Sequence, residues 1–146
     1  MLRSKTCLAD VNVWLALAAQ RHEHHAVAHR WFSSRGEEGT AFCRVTQMGF
    51  LRLLTNRATM GEDVLNPLEA WESYQQLRRD WRVGFAAEPA GIEAAWLEMM
   101  RSGAPARSWT DAYLAAFAAG HGYTLTSFDR GFRRWEHFRL ELLPGR

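Results

Sequence analysis

The chain contains little cysteine, little excess charge and no long apolar run. Only Cys7 and Cys43 are cysteines among its 146 residues, which argues against a disulfide-stapled secreted fold and favours two reduced thiols. No apolar stretch is long enough to span a bilayer. The amino terminus lacks the apolar core and small-residue cleavage site of a signal peptide. We therefore expect a cytoplasmic protein without a membrane segment.

The formal net charge of +2 is too small to identify a partner by electrostatics alone. A mildly basic chain of this kind is compatible with RNA, DNA or an acidic protein. Its hydrophobic and charged fractions, 47% and 23%, are those of an ordinary globular protein. The length suits one domain and no repeat or linker interrupts it, so we predict a single domain over residues 1–146.

Short strand-like segments alternate with helical segments along the chain. We predict strands at residues 6–10, 40–43, 82–85, 123–126 and 140–143. We predict helices at residues 11–19, 24–34, 45–54, 68–79, 89–100 and 108–119, with loops at 56–67 and 102–107. Asn66 and Pro67 should open the fourth helix, and Gly120 should end the last one. This alternation favours an α/β fold with a parallel sheet covered on both faces.

Three aspartates occupy positions that such a fold brings together. Asp10 closes the first apolar run and Asp129 follows the fourth, while Asp111 lies in the first turn of an alanine-rich helix. In an open α/β sheet, the carboxyl ends of the strands and the following helix starts meet in one cleft. Carboxylates held close together repel each other unless a cation joins them. The sequence therefore predicts a site for a hard divalent metal.

Helical periodicity turns Asp111 towards the protein interior. On a 3.6-residue period it shares a face with Leu114, Ala115 and Ala118, and that apolar face should pack on the sheet. A buried carboxylate needs a partner. The alternative is a helix-start carboxylate satisfied by the helix dipole and the unpaired backbone N–H groups.

The other two aspartates also have simpler local explanations. Asp10 precedes a helical segment and has the position of an N-cap residue. Asp129 lies in the tetrapeptide 128–131, Phe-Asp-Arg-Gly, which favours a turn. Each position alone is a weak signal, and the three together favour the metal-site interpretation.

Gln47 is a fourth polar residue on an apolar helix face. It shares that face with Phe50, Leu51 and Leu54, at offsets of three, four and seven residues. An amide on such a face needs hydrogen-bond partners. The alternative to a functional role is a glutamine near the helix start bonded to nearby backbone.

The chain carries an ordered set of motifs from end to end. They are Leu8-Ala9-Asp10-Val11-Asn12-Val13-Trp14-Leu15, His22-x-x-His25-x-x-Ala28-x-x-Trp31, Arg44-Val45-Thr46-Gln47-Met48-Gly49-Phe50-Leu51-Arg52-Leu53-Leu54-Thr55-Asn56, Trp109-Thr110-Asp111-Ala112-Tyr113-Leu114-Ala115-Ala116 and Ser127-Phe128-Asp129-Arg130-Gly131-Phe132. An isolated Asp-x-Asn motif carries little information, but the ordered set is specific. The chain resembles the PIN-domain ribonucleases, and in particular the VapC toxins of bacterial toxin–antitoxin systems.

The resemblance implies a three-layer α/β/α sandwich around a mostly parallel five-stranded sheet. It implies an acidic cluster that binds Mg²⁺, or Mn²⁺ as a substitute, and endonucleolytic cleavage of RNA such as tRNA or rRNA. Asp10 and Asp111 match the family's main metal-binding aspartates, and Asp129 matches its further C-terminal acidic position. Asn12 and Ser127 match polar positions that line the site.

Gln47 departs from the motif of the family that this chain resembles, since most PIN nucleases have a glutamate at that position. One subgroup of VapC-like sequences resembles this chain, with Arg-x-Thr-Gln at that place. The amide removes one negative charge, although it still offers a carbonyl oxygen for a metal or its water. We therefore expect one firmly held metal.

Basic residues follow Asp129 closely. Arg130, Arg133 and Arg134, with Arg139 further on, are candidates for RNA phosphate contacts, which position nucleic acid without reading its sequence. The alternatives are a solvated basic face and a surface that meets an acidic segment of an antitoxin.

The histidines at positions 22, 24, 25 and 29 suggest zinc at first sight. His25 and His29 have helical i, i+4 spacing, but no cysteine or Glu-x-x-His motif completes a zinc site. We predict a solvated helix face for them.

Three functions are consistent with the pattern to different degrees. The first is an RNA endonuclease toxin that, by resemblance, forms a homodimer and binds a VapB-like antitoxin. The second is a catalytically weakened PIN-like module that binds RNA or a partner, supported only by Gln47. The third is a phosphohydrolase of small phosphoesters, disfavoured because Asp10-Val11-Asn12 lacks a second carboxylate and no phosphate-cradling glycine loop is present.

Overall fold

A five-stranded parallel sheet forms the centre of the computed structural model, which describes residues 5–145. The strands are β1 (Cys7–Ala9), β2 (Thr40–Phe42), β3 (Val83–Phe85), β4 (Thr124–Ser127) and β5 (Arg139–Leu142). Their order across the sheet is β3-β2-β1-β4-β5, and all four pairings between them are parallel. The predicted parallel sheet is confirmed, with strand ends displaced by at most one residue.

Helices connect the strands. Within residues 5–145 they are α1 (Val11–Ala18), α2 (His25–Ser34), α3 (Arg44–Leu54), α4 (Arg57–Met60), α5 (Pro67–Arg78), α6 (Ile92–Arg101) and α7 (Trp109–His121), with short 3₁₀ turns at Gly61–Asp63, Ala106–Ser108 and Arg130–Arg134. The predicted start of α5 is confirmed: Asn66 accepts from the Glu69 backbone N–H at 2.8 Å, and the Glu69 carboxylate accepts from the Asn66 N–H at 2.9 Å. Pro67 follows as the first helical residue, where its missing N–H costs nothing.

The sheet separates two hydrophobic cores. Successive strand residues point to opposite faces, so Cys7 and Ala9 join one core and Leu8 joins the other. The first core contains Trp14 of α1, stacked on Phe42 with ring centroids 3.8 Å apart, and draws on α1, α2, α3 and α5. The second core lies under α6 and α7. These two helical layers confirm the α/β/α sandwich.

The predicted end of the last helix was wrong. Helix α7 continues through Gly120 to His121, and Gly122 caps it in the left-handed conformation with φ = 71°. A Cβ on Gly120 would lie 2.8 Å from the ring of Pro89. Gly120 therefore serves close packing, and the helix ends at the next glycine that can take a positive φ.

Two other predicted boundaries differ from the structure. The helix expected at residues 89–100 begins only at Ile92, after Gly91 takes a left-handed conformation with φ = 75°. The loop expected at 56–67 contains the short helix α4, whose first N–H groups are capped by Asn56 at 2.8 Å from the Ala58 nitrogen. Both differences depend on local capping geometry, which is the least regular part of a helix.

Two predictions about the whole chain bear on its environment. Cys7 and Cys43 are both buried and free, as expected for reduced thiols. Among residues 5–145 no helix has the length and hydrophobicity of a membrane span. Residues 1–4 and 146 lie outside the described part of the chain. The two ends of the predicted domain therefore lie outside it, as does most of the amino-terminal segment that was predicted to lack a targeting signal.

Helix α3 approaches the start of α1 very closely. A Cβ on Gly49 of α3 would lie 2.8 Å from Cγ2 of Val11, the first residue of α1. Real Cβ atoms do not come so close, so an added methyl group would push the two helices apart. Glycine at position 49 thus holds the first turns of α3 against the chain beside Asp10.

We predict that Gly49→Ala lowers the free energy of unfolding by about 1 kcal/mol, because overpacking outweighs the better helix propensity of alanine. Val11→Ala removes the clashing methyl group and should rescue the variant, with a coupling of about 1 kcal/mol in a double-mutant cycle. Urea denaturation of the four proteins measures this. Additive effects of the two substitutions would contradict the close packing.

Candidate active site

The carboxyl ends of β1 and β4 meet at the centre of the site. Asp10 directly follows β1, and its backbone N–H donates to the Thr126 carbonyl of the neighbouring strand at 2.9 Å. Ser127 ends β4, and its hydroxyl donates to Oδ2 of Asp10 at 2.7 Å. Asp10 is only 8% exposed and Ser127 is fully buried. The sheet therefore places this carboxylate inside the protein at the edge where parallel strands end.

Asp10 has the N-cap role that its position suggested, in addition to its contact with Ser127. Oδ1 accepts from the Val11 backbone N–H at 2.7 Å and begins α1. Burial raises the pKa of the Asp10 carboxyl, while the hydrogen bonds from Ser127 and Val11 lower it and the charge of Asp129 raises it further. Each carboxylate oxygen accepts one of these bonds and keeps a further lone pair.

Ser127 links the groups around Asp10. Its hydroxyl oxygen accepts from the Asn12 amide at 3.3 Å and from the Asp129 backbone N–H at 2.9 Å. The Asn12 carbonyl in turn accepts from the Phe128 backbone N–H at 3.3 Å. Asn12 and Ser127 thus join the start of α1 to the segment after β4, beside Asp10.

Asp111 lies in the first turn of α7, half-buried, as its helix phase predicted. Its pKa is raised to about 6, mainly by burial, then by the negative charges of Asp10 and Asp129, with the nearby Arg134 cation opposing them. Within residues 5–145 its carboxylate accepts no hydrogen bond. The backbone-capped alternative is therefore wrong, and Asp111 is placed as a carboxylate held near like charges.

Asp129 differs from the other two aspartates because it is exposed. Its Oδ1 accepts from the Gly131 N–H at 2.7 Å and caps the 3₁₀ turn Arg130–Arg134, which is the turn role considered for it. Its charge nevertheless acts on both Asp10 and Asp111. No three His, Cys, Asp or Glu side chains among the described residues form a ready-made metal cage. The arrangement is one buried and one half-buried carboxylate, with a third, exposed carboxylate beside them.

Gln47 is buried, at 5% exposure, in the early part of α3. Its amide oxygen accepts from Nη1 of Arg44 at 2.7 Å, so its partner is a side chain and not the nearby backbone. The Arg44 guanidinium also lies over the Phe85 ring, 4.7 Å from its centroid. Sequence inspection assigned no role to Arg44. The available signal was its i, i+3 spacing from Gln47, which places the two on one helix face.

The arginines after Asp129 have different surroundings. Arg130, Arg133 and Arg134 are exposed, and the charge of Arg134 reaches Asp111. Nε of Arg134 donates to the Gly131 carbonyl at 3.2 Å, which fixes its direction. Arg139 instead donates to the Gly122 carbonyl at the far end of α7. Arg134 is therefore the arginine of this group placed at the carboxylates.

The predicted solvated face for the histidines was only partly correct. His24 stacks on Phe128 with ring centroids 4.7 Å apart, and Nδ1 of His25 lies 2.8 Å from the Ala16 carbonyl. His29 is exposed. Helix α2 begins at His25, so His24 lies before the helix and packs on the segment that carries Asp129. Stacking of this kind joins residues distant in sequence, which helical spacing does not reveal.

The site combines groups that suit a hard cation. The pKa values of Asp10 and Asp111 are both raised, the charge of Asp10 acts on Asp111, and neither carboxylate forms an ion pair within residues 5–145. Oxygen ligands of this type bind Mg²⁺, which keeps several waters and often uses only one or two carboxylates. A cation between them would relieve the repulsion that raises the pKa of Asp111.

Comparisons with known proteins agree with this geometry. The family model of the PIN domain matches residues 7–137. Ribonuclease VapC41 of Mycobacterium tuberculosis is 42% identical over 142 residues, which cover 93% of this chain and 97% of that protein. Ribonuclease VapC38 of the same organism is 31% identical over 124 residues, 85% of each chain.

Solved structures share the fold at low sequence identity. VapC20 of Mycobacterium tuberculosis, described as a sarcin-ricin loop cleaving toxin, has a TM-score of 0.69 at 19% identity and covers 94% of this chain and 99% of that one. A DNA-bound VapBC from Salmonella typhimurium has a TM-score of 0.68 at 15% identity, covering 95% and 98%. The family model and the relatives of similar length show that this chain belongs to the PIN-domain family, among its VapC-type proteins.

Proposed function

We propose that this chain is a metal-dependent endoribonuclease, the toxin of a VapBC-like toxin–antitoxin pair. The observation that carries the proposal is the pair of Asp10, which is buried, and Asp111, which is half-buried and whose pKa is raised to about 6 by burial and by the charge of Asp10. Carboxylates with strongly perturbed pKa values cluster at functional sites. Relatives over nearly the whole chain are named ribonucleases.

Asp10 and Asp111 would hold the metal, Mg²⁺ with Mn²⁺ as a substitute, and Asp129 would reach it through a water. The exposed position of Asp129 and the absence of a three-residue cage in residues 5–145 favour this division. A bound divalent ion supplies a water of lowered pKa and neutralises charge on a scissile phosphate. We assign one metal, because position 47 is an amide whose oxygen already accepts from Arg44.

The surrounding residues would orient these ligands and the RNA. Ser127 fixes one oxygen of Asp10, and Asn12 fixes the segment that follows Ser127. Exposed Arg130 and Arg133 would contact RNA phosphates on that side, and Arg134 would balance charge beside Asp111. The chain's own groups thus position the reacting phosphate without a histidine or serine nucleophile.

We further propose the partners that the family resemblance implies. These are tRNA or rRNA as substrate, a VapB-like antitoxin as the inhibitor, a second copy of the chain in a homodimer, and a cytoplasmic location where the RNA is found. Solved structures of similar fold include VapBC from Salmonella typhimurium and VapBC-1 from Haemophilus influenzae.

A catalytically weakened RNA- or partner-binding module is the second candidate. The observation in its favour is the hydrogen bond from Arg44 to the amide oxygen of Gln47. Gln47 occupies the position at which most PIN nucleases resemble one another in having a glutamate. The same cleavage experiment separates the two candidates.

We predict that Asp10→Asn and Asp111→Asn each lower cleavage of a structured RNA pool in Mg²⁺ at least about 100-fold, since losing even an outer partner of a metal ligand costs roughly 10- to 100-fold. Gel analysis of the products measures this. The matched control is Glu93→Gln, which removes an exposed carboxylate in the first turn of α6. Equal cleavage by all four proteins would exclude the assigned pair, and an inactive wild type would favour the binding module.

We also predict a pH-dependent stability difference for the metal-free protein. Because the pKa of Asp111 is raised from 3.8 to about 6 on folding, the folded state binds more protons than the unfolded state between these values. Stability therefore falls as the pH rises through this window, and the loss is fully present above pH 6. Asp111→Asn abolishes it and should raise Tm at pH 7.5 by several degrees, on the order of 5 °C.

Thermal unfolding in EDTA at pH 4 and pH 7.5 measures this effect. The gain of Asp111→Asn over the wild type should become small at pH 4, because the carboxyl is then protonated in the folded state and partly protonated in the unfolded state, so most of the difference in bound protons has been integrated out. Glu93→Gln controls for loss of a carboxylate at a helix start and should follow the wild type. An Asp111→Asn variant less stable than the wild type at pH 7.5 would contradict the assigned repulsion.

A further inference from the structure

Arg44 lies at the carboxyl ends of the strands, where the carboxylates also lie, on the side away from Arg134. The β1–β2 register pairs Leu8 with Ala41, so continuing it brings Asp10 level with Cys43, the residue before Arg44. The β1–β4 register pairs Ala9 with Thr126 and brings Asp10 level with Ser127. Adjacent strands lie about 4.8 Å apart. Arg44 therefore starts one strand away from Asp10.

Neutral groups hold the Arg44 side chain in place. Gln47 accepts one of its N–H groups at 2.7 Å, and the Phe85 ring lies under the guanidinium at 4.7 Å. Phe85 ends β3, the strand beyond β2, and is 37% exposed. Arg44 itself is exposed and forms no ion pair within residues 5–145. Its charge is thus fixed in direction but not neutralised.

A phosphate is the ligand that suits such a group. A guanidinium has five N–H donors, and the bond to Gln47 uses one of them. Its planar shape matches the oxygens of a phosphate, which it binds with two parallel hydrogen bonds. An RNA strand that runs along this row of strand ends with its reacting phosphate at Asp10 places neighbouring phosphates within a few strand spacings, on the side where Arg44 lies.

We propose that Arg44, held by Gln47 and Phe85, binds an RNA phosphate next to the scissile one, on the β2–β3 side of Asp10. Arg134 lies on the β4 side, so the two arginines flank the carboxylates along the sheet edge. The neutral amide at position 47 contributes to this phosphate site, because a glutamate there would form an ion pair with Arg44 and neutralise its charge. The inference rests on the proposed endoribonuclease function.

Salt dependence of RNA binding tests the proposal. A fluorescent single-stranded RNA is titrated with full-length protein in EDTA, which prevents metal-dependent cleavage, at several KCl concentrations. Each lost phosphate contact reduces the slope of log K against log [KCl] by about 0.7 for a single strand. We expect this reduction for Arg44→Gln, with affinity about tenfold weaker at low salt. Arg44→Lys keeps the charge and should restore the slope.

The matched control is Arg52→Gln, which removes an exposed arginine from the last turn of the same helix. Its slope should equal that of the wild type. An unchanged slope in Arg44→Gln, or an equal reduction in Arg52→Gln, would overturn the proposal. RNA binding and cleavage by the wild type are measured in parallel, so failure of the proposed function itself is seen separately.

Gln47→Glu provides an independent arm. A carboxylate in place of the amide should neutralise Arg44, so the substitution should reduce the slope in the wild-type background and leave it unchanged in the Arg44→Gln background. The effect of Gln47→Glu would then depend on Arg44, which a general change in fold or charge does not produce. Equal effects in both backgrounds would contradict the coupling.

Weaker binding of the Arg44→Gln variant to an acidic protein, with unchanged RNA binding, would assign Arg44 to a protein partner instead and overturn the proposal.

Discussion

The hydrogen bond from the Ser127 hydroxyl to Asp10 is the contact on which the site depends. It joins the ends of two adjacent strands at 2.7 Å and stabilises a carboxylate that is only 8% exposed. Burial of a charge is costly unless hydrogen bonds compensate it, and the Val11 N–H supplies the second such bond. Because Asn12 and the Asp129 backbone bind the same serine, the whole edge of the sheet is fixed around one carboxylate.

The balance of charge around that carboxylate explains the rest of the arrangement. Burial, together with the negative charges of Asp10 and Asp129, raises the pKa of Asp111 to about 6, so the ionised carboxylates are unfavourable here without a cation. Basic groups lie on both sides, Arg134 towards β4 and Arg44 towards β2. Gln47, which carries no charge, leaves Arg44 unpaired where a carboxylate would neutralise it. The proposed single metal and the two flanking guanidinium groups would together suit a polyanionic strand.

Hydrophobic periodicity and capping residues predicted the helices and strands whose positions depend on nearby residues in the sequence. The positions of the strands along the chain, the inward phase of Asp111 and the start of α5 at Asn66 follow from periodicity and capping chemistry, and the structure confirms their placement. The predicted end of α7 was wrong because Gly120 packs against Pro89 within the helix, while Gly122 takes the left-handed conformation that ends it. The Arg44 contacts likewise need β3 to bring Phe85 beside it. The catalytic roles of the aspartates stay predictions.

Proton release on metal binding tests the central claim that Asp10 and Asp111 form the metal site. Calorimetric titration with Mg²⁺ or Mn²⁺ in two buffers of different ionisation enthalpy counts the protons released. With the pKa of Asp111 at about 6, binding at pH 6 should release at least about half a proton per metal, with one metal bound and far less proton release at pH 8. Metal binding without proton release at pH 6, or unaltered binding by Asp111→Asn, would contradict the account.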